Sequence, residues 1–190
     1  GGTGPTVGTV TASGGSPSAT WTVTTSMAGT TGTNSGSVGL NLVGAGSITD
    51  VAANPVSPTS FTGQSYFYDT TAPVVTGVSS PLANGSYKAG QVVPVTVTFS
   101  EPVTVTGTPR LTLSTGTPST TAVTYSAGSG TNILTFNYLV ATGNTSADLD
   151  YASTTALGLN GGSITDAATN AATLNLAAPG APGSLGANKA

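Results

Sequence analysis

Apolar and polar residues alternate along most of this chain. In "VPVTVTFS" Val95, Val97 and Phe99 fall on one side of an extended backbone and Thr96 and Thr98 on the other, because successive strand side chains point to opposite faces. This strand is predicted to end before Pro102, the neighbour of Glu101. "ILTFNYLV" (133–140) repeats the pattern with Leu134, Phe136, Tyr138 and Val140. "AVTYSAGSGTNILTF" (122–136) sets a Gly- and Ser-rich centre between two alternating runs, which predicts a β-hairpin. Nearer the start, "ATWTVTT" (19–25) predicts Trp21 and Val23 inward against Thr20, Thr22 and Thr24. "VGLNLV" (38–43) predicts Val38, Leu40 and Leu42 on one face. No window carries helical periodicity over about 11 residues. Short strands divided by turns predict an all-β chain of β-sandwiches, since a sheet with one apolar face must cover it with another.

A repeat divides the chain. "GSITDVAANP" (46–55) returns as "GSITDAATNA" (162–171), an offset of 116 residues. The junction "YFYDTTAPVV" (66–75) carries Pro73 and reads as a short stiff joint, which predicts domains at 1–69 and 70–190 in tandem on a rod. Shifted back by the same offset, the strands between Val74 and Gly116 fall before Gly1. The first sandwich is therefore expected to be incomplete at its N-terminal side. Nothing like "GQSYFYDTTAP" follows the second loop, so the second is expected to lack its last strand. Incomplete sandwiches expose strand edges that invite another strand. Either the chain is an excerpt of a longer repeat protein, or neighbouring subunits supply the missing strands.

Composition narrows the function. Charged residues make up 5% of the chain, against roughly 25% in an ordinary globular domain. Net charge is −3, and Lys88, Arg110 and Lys189 form no basic patch, which argues against nucleic-acid binding. No apolar run reaches the roughly 20 residues of a membrane span. Cysteine and histidine are both absent, which removes thiol nucleophiles, thiolate metal sites and the commonest general base.

The acids are Asp50, Asp69, Glu101, Asp148, Asp150 and Asp166, all expected at turns or strand ends. Calcium takes six to eight oxygens, which such loops can supply. Asp69 at the junction is the best-placed candidate, and Glu101, Asp166 and Asn170 join it if the fold gathers their loops. The competing reading is that Asp and Asn hydrogen-bond their own turns, with Ile48 and Ile164 anchoring each loop in a core. Asp148 and Asp150 have roughly the spacing of a glycosidase pair, yet no aromatic platform accompanies them, and the chain reads as non-catalytic. Threonine rows could bind carbohydrate or ice or carry glycans, although Thr is also simply a soluble β-former.

"DTTAPVV", "VTFSEPVTVTGTPRLTL", "ADLDYAST" and "LNGGSITDAATNAATLNL" together resemble the bacterial Ig-like repeats of giant surface and secreted adhesins, including the SWM-type repeat. The resemblance covers nearly all of 70–190 and the later part of the first domain. It implies an Ig-like, exported stalk or filament module of a bacterial cell surface, without catalysis, that contacts other copies or adjacent repeats. A glycan-binding adhesin module is the alternative. One departure stands out: where the family carries glycine before the loop asparagine, this chain has Ala53 and Thr169, which suggests a different backbone conformation there.

Overall fold

The computed structural model describes residues 6–12, 20–26, 35–44, 48–58 and 60–189. Among the described residues the fold is all-β apart from one four-residue helical turn, and the chain clusters into two units, Gly1–Thr71 and Ala72–Ala190.

The second unit is a single curled sheet wrapped around its core. Its strands are β5 (Val75–Ser79), β6 (Val92–Thr106), β7 (Arg110–Ser114), β8 (Thr120–Ala127), β9 (Thr131–Leu139), β10 (Asp150–Tyr151), β11 (Leu157–Gly158) and β12 (Ser163–Thr165). The ladder runs β10-β7-β8-β9-β6-β12, with β11 also on β7 and β5 also on β6. The alternation read from sequence holds throughout. Val93, Val95, Val97 and Phe99 of β6 are buried, and so are Leu134, Phe136 and Tyr138 of β9. Tyr125 meets the Phe136 ring edge-on at 6.2 Å and 74°, a favoured aromatic geometry.

Strand β6 runs past its expected end, and Glu101 lies within it. The ladder with β9 pairs Thr98 to Ile133 and then Val103 to Thr131, so β6 carries the extra residues around Ser100–Pro102. Such a bulge bends a strand and raises its twist. Beyond the bend Val103 still meets β9, and the last residues of β6 pair with β12, Ile164 opposite Val105. Pro94 sits in the other half, past the last β5 partner (Ser79 opposite Thr96), so its missing N–H leaves no bond to β5 unmade.

The chain after β12 closes one end. Leu176 and Leu185 are buried, and Ser184 caps the turn α1 (Leu185–Asn188) by accepting from the Ala187 amide at 3.1 Å. Tyr151, 1% exposed, donates its hydroxyl to the Ala177 carbonyl at 2.7 Å.

The first unit consists of two separate hairpins, β1 (Thr6–Ala12) with β2 (Trp21–Ser26) and β3 (Ser35–Leu42) with β4 (Phe61–Asp69). None of its described residues is buried. Trp21, predicted inward, is 52% exposed, because no second sheet covers β2 among the described residues. Val38 and Leu42 are half-buried but Leu40 is exposed; the β3–β4 register shifts between Gly39 and Asn41, beside Leu40.

Two outcomes check this architecture. A Cβ on Gly162 would lie 2.1 Å from the Thr106 carbonyl oxygen, where β12 joins β6. Gly162→Ala should destabilise the second unit by about 1–3 kcal/mol in denaturant melts. Burial, and then the charge of Asp150, push the Tyr151 hydroxyl from 10.0 up to about 12. The neutral phenol is what the fold favours, so its contribution is complete below pH 10 and is lost as pH rises toward 12. Stability of Tyr151→Phe should therefore fall less steeply than wild type across that window.

Candidate functional site

The repeated loop closes on itself in both units. In the second, the Asp166 amide donates to the Asn170 carbonyl at 3.1 Å, and Ala172 donates to Ile164 at 2.9 Å. One Asp166 carboxylate oxygen accepts from the Asn170 amide at 2.8 Å, the other from its side-chain Nδ2 at 2.7 Å. In the first, Asp50 donates to Asn54 at 2.9 Å and Val56 to Ile48 at 3.0 Å. The Asp50 carboxylate takes the Asn54 amide and Nδ2, both at 2.9 Å. Gly46 and Ser47 of this copy lie outside the described residues.

The surroundings of the two copies differ. Ile164 is 2% exposed and anchors its loop in the core, whereas Ile48 is 48% exposed. Ala53 and Thr169 keep left-handed backbones, φ 64° and 70°. Neither residue is glycine; two Asp–Asn clasps hold them in left-handed space, at a penalty of about 1–2 kcal/mol each. The Asn54 side chain, then its amide, hold the Asp50 carboxyl below its usual value. That support is present above pH 3.8 and is lost as pH falls through the lowered value.

The calcium candidates are placed as follows. Glu101 sits in the bend of β6 and Asp166 directly after β12, so the β6–β12 pairing brings their carboxylate oxygens within 4.8 Å of each other. Asn170 is held against Asp166 by the clasp. Asp69 ends β4 in the first unit, where the Ser35 hydroxyl and the Thr71 amide donate to it and lower its pKa, the hydroxyl most. Asp148 and Asp150 both converge on the backbone at Gly186, and Asp150 is tied further by the Gly180 amide at 2.9 Å and the Tyr151 amide at 2.8 Å. These bonds give Asp150 a structural task.

Two concave surfaces remain. In the second unit a cleft of about 560 Å³ is lined by Leu82, Tyr87, Tyr138, Asn144, Asp148 and Lys189 among others. In the first unit an open groove of about 680 Å³ lies between the hairpins. Val10 and Val23 line it from one hairpin; Val38, Leu40, Leu42 and Phe61 line it from the other. Asn41 and Gln64 give it a polar margin. The two Ala53 and Thr169 strain points carried no signal beyond their departure from glycine.

No family model, curated protein or solved structure matches the chain.

The clasp makes a paired prediction. Asp166→Ala removes two bonds at a buried site and should lower the melt of the second unit by about 2–3 kcal/mol. Asp50→Ala, at an exposed copy, should leave that melt unmoved and only loosen amide exchange at 52–56. Thr169→Gly should raise the melt by about 0.5–1 kcal/mol, the left-handed penalty less the entropy glycine loses.

Proposed function

We propose that this chain is a non-catalytic structural module of an extracellular bacterial fibre or adhesin stalk, made of tandem Ig-like β-sandwiches. In this reading the first unit meets other copies of the chain or adjacent repeats through its open groove. The contrast between a core-filled second unit and a first unit with an open apolar groove carries the proposal. The first unit keeps Phe61, Tyr66, Phe67 and Trp21 mostly exposed, more apolar surface than a small self-contained fold retains. A surface rich in Thr with few charges favours lateral packing over repulsion. The resemblance of the junction and loop motifs to adhesin repeats points to the same setting.

Electron micrographs of the purified protein test the reading: ordered filaments or sheets are expected. Monodisperse particles that bind selected glycans on an array would favour a glycan-binding module instead. The specific support for that second reading is the cleft beside Tyr87, a concave surface with a few polar groups.

Calcium joins the proposal through Glu101 and Asp166, with Asn170 as an oxygen donor if its amide turns. Two carboxylates this close repel without a cation and attract one. A ligand that binds only the folded state must raise its stability. Calcium should therefore raise the melting midpoint relative to chelator, and Glu101→Gln should abolish the rise while stabilising the chelated protein. Equal midpoints at millimolar calcium and in chelator would remove calcium from the proposal.

A further inference from the structure

We infer that Asn84–Gly85 is a site of spontaneous covalent modification. There asparagine reacts with water to give aspartate and isoaspartate, and a negative charge joins the lining of the second unit's cleft. The inference concerns the second unit alone and stands whether or not the structural-module reading does.

The chain holds two Asn-Gly pairs, Asn84–Gly85 and Asn160–Gly161. Glycine has no Cβ to shield its backbone nitrogen, so that nitrogen can close on the side-chain amide before it. Asparagine counts among the thermally labile residues. In the reaction the Gly85 nitrogen attacks Asn84 Cγ. An N–Cγ bond forms, the Cγ–Nδ2 bond breaks, and the Gly85 amide proton leaves with the side-chain nitrogen as ammonia. Water then opens the cyclic imide. Addition at Cγ restores the main chain and leaves aspartate. Addition at the main-chain carbonyl leaves isoaspartate, with the chain running through Cγ. One water is taken up and one ammonia lost, with no oxidant or reductant.

The fold treats the two pairs differently. Asn160 lies in a closed turn, with φ 48° there and 79° at Gly161, and the Gly162 amide donates across them to the Leu159 carbonyl at 2.9 Å. Asn160 Nδ2, the nitrogen that would have to leave, donates to the Thr108 carbonyl at 3.1 Å. The turn runs straight into β12, where Ser163 pairs with Thr106 of β6. Attack at Asn160 therefore requires the turn to open first. Asn84 and Gly85 lie instead in the loop 80–91 between β5 and β6, outside the ladders. Both are exposed, and a Cβ built on Gly85 meets nothing within 4 Å, so solvent and room for the ring are at hand. The loop is pinned on either side of the pair. The Leu82 carbonyl accepts from Lys189 Nζ at 2.8 Å, and the Tyr87 hydroxyl donates to the Ala83 carbonyl at 2.5 Å.

The product changes the cleft. Asn84 and Gly85 line it together with Asp148 and Lys189, whose charges balance. Conversion leaves that lining with a net negative charge. Isoaspartate also lengthens the loop by one backbone atom. In a chain whose charged residues are only 5% of the total, one added charge is a large change to one surface.

The test incubates the full folded chain at mildly alkaline pH in water enriched in heavy oxygen and maps its peptides by mass spectrometry. Heavy oxygen should enter residue 84 roughly tenfold or more faster than residue 160, because the closed turn must open before Asn160 can react. The intact protein should become more acidic on ion exchange in step with that incorporation. In denaturant the two pairs should convert at similar rates, since the turn no longer separates them. Gly85→Ala, in an exposed loop with space for the methyl group, should slow the reaction at residue 84 severalfold. Asn160 keeping pace with Asn84 in the folded chain overturns the inference. So does reaction at Asn84 that waits for unfolding, or a rate that Gly85→Ala leaves unchanged, which would place the attacking nitrogen elsewhere.

Discussion

One strand sews the second unit together. The 15 residues of β6 pair with β5 and β9 before the Ser100–Pro102 bend, keep β9 at Val103, and then pair with β12. A strand that changes partners in mid-course turns a flat ladder into a curled one, and Ile164, Val103, Phe99 and Leu134 fall in one core. The bend is local chemistry: Pro102 offers no N–H, and a bulge is where a sheet tolerates that. Without β6 the unit would be loose hairpins. The first unit shows what loose hairpins look like, with the same kinds of strand and no buried residue among those described.

The two Asp–Asn loops separate two sources of order that are usually mixed. Their hydrogen bonds match within 0.2 Å, although one loop rests on a core and the other is exposed. The loop conformation is therefore set by its own carboxylate and amide, which satisfy the backbone donors of the turn without help. What the core adds in the second unit is position, through Ile164. Local hydrogen bonding fixes shape; burial fixes place. The left-handed backbones at Ala53 and Thr169 follow, since a closed clasp holds a residue in a conformation it would not choose alone.

Much of the second unit was legible because its strands obey period two on a one-sided core. Val95, Val97, Phe99, Leu134, Phe136 and Tyr138 needed no more than alternation. The same rule failed at Trp21, Leu40 and Ile48, whose alternation is equally clear. Period two says which side chains share a face; it does not say that another sheet covers the face. That information lies in strands far away in the chain, and for the first unit no described strand supplies it. Glu101 was misplaced for a related reason: a Glu-Pro pair reads as a strand end, and only the later pairing with β12 shows the strand continuing. Of the metal candidates, the nearness of Glu101 and Asp166 depended on that same unseen pairing.

This dependence on distant strands bears on how such a module is built. Ladder bonds between strands many residues apart carry a loop-closure penalty before they return anything, so a sandwich forms only when enough of its strands are present together. Two-stranded hairpins alone are marginal in water, and the first unit is two of them. Its groove is lined by valine, leucine and phenylalanine. Burying such residues is the largest gain open to this chain, which has very few charges to contribute instead. These hairpins keep period two, an apolar face and a self-closing loop, so any surface that covers the face adds stability the hairpins do not have alone.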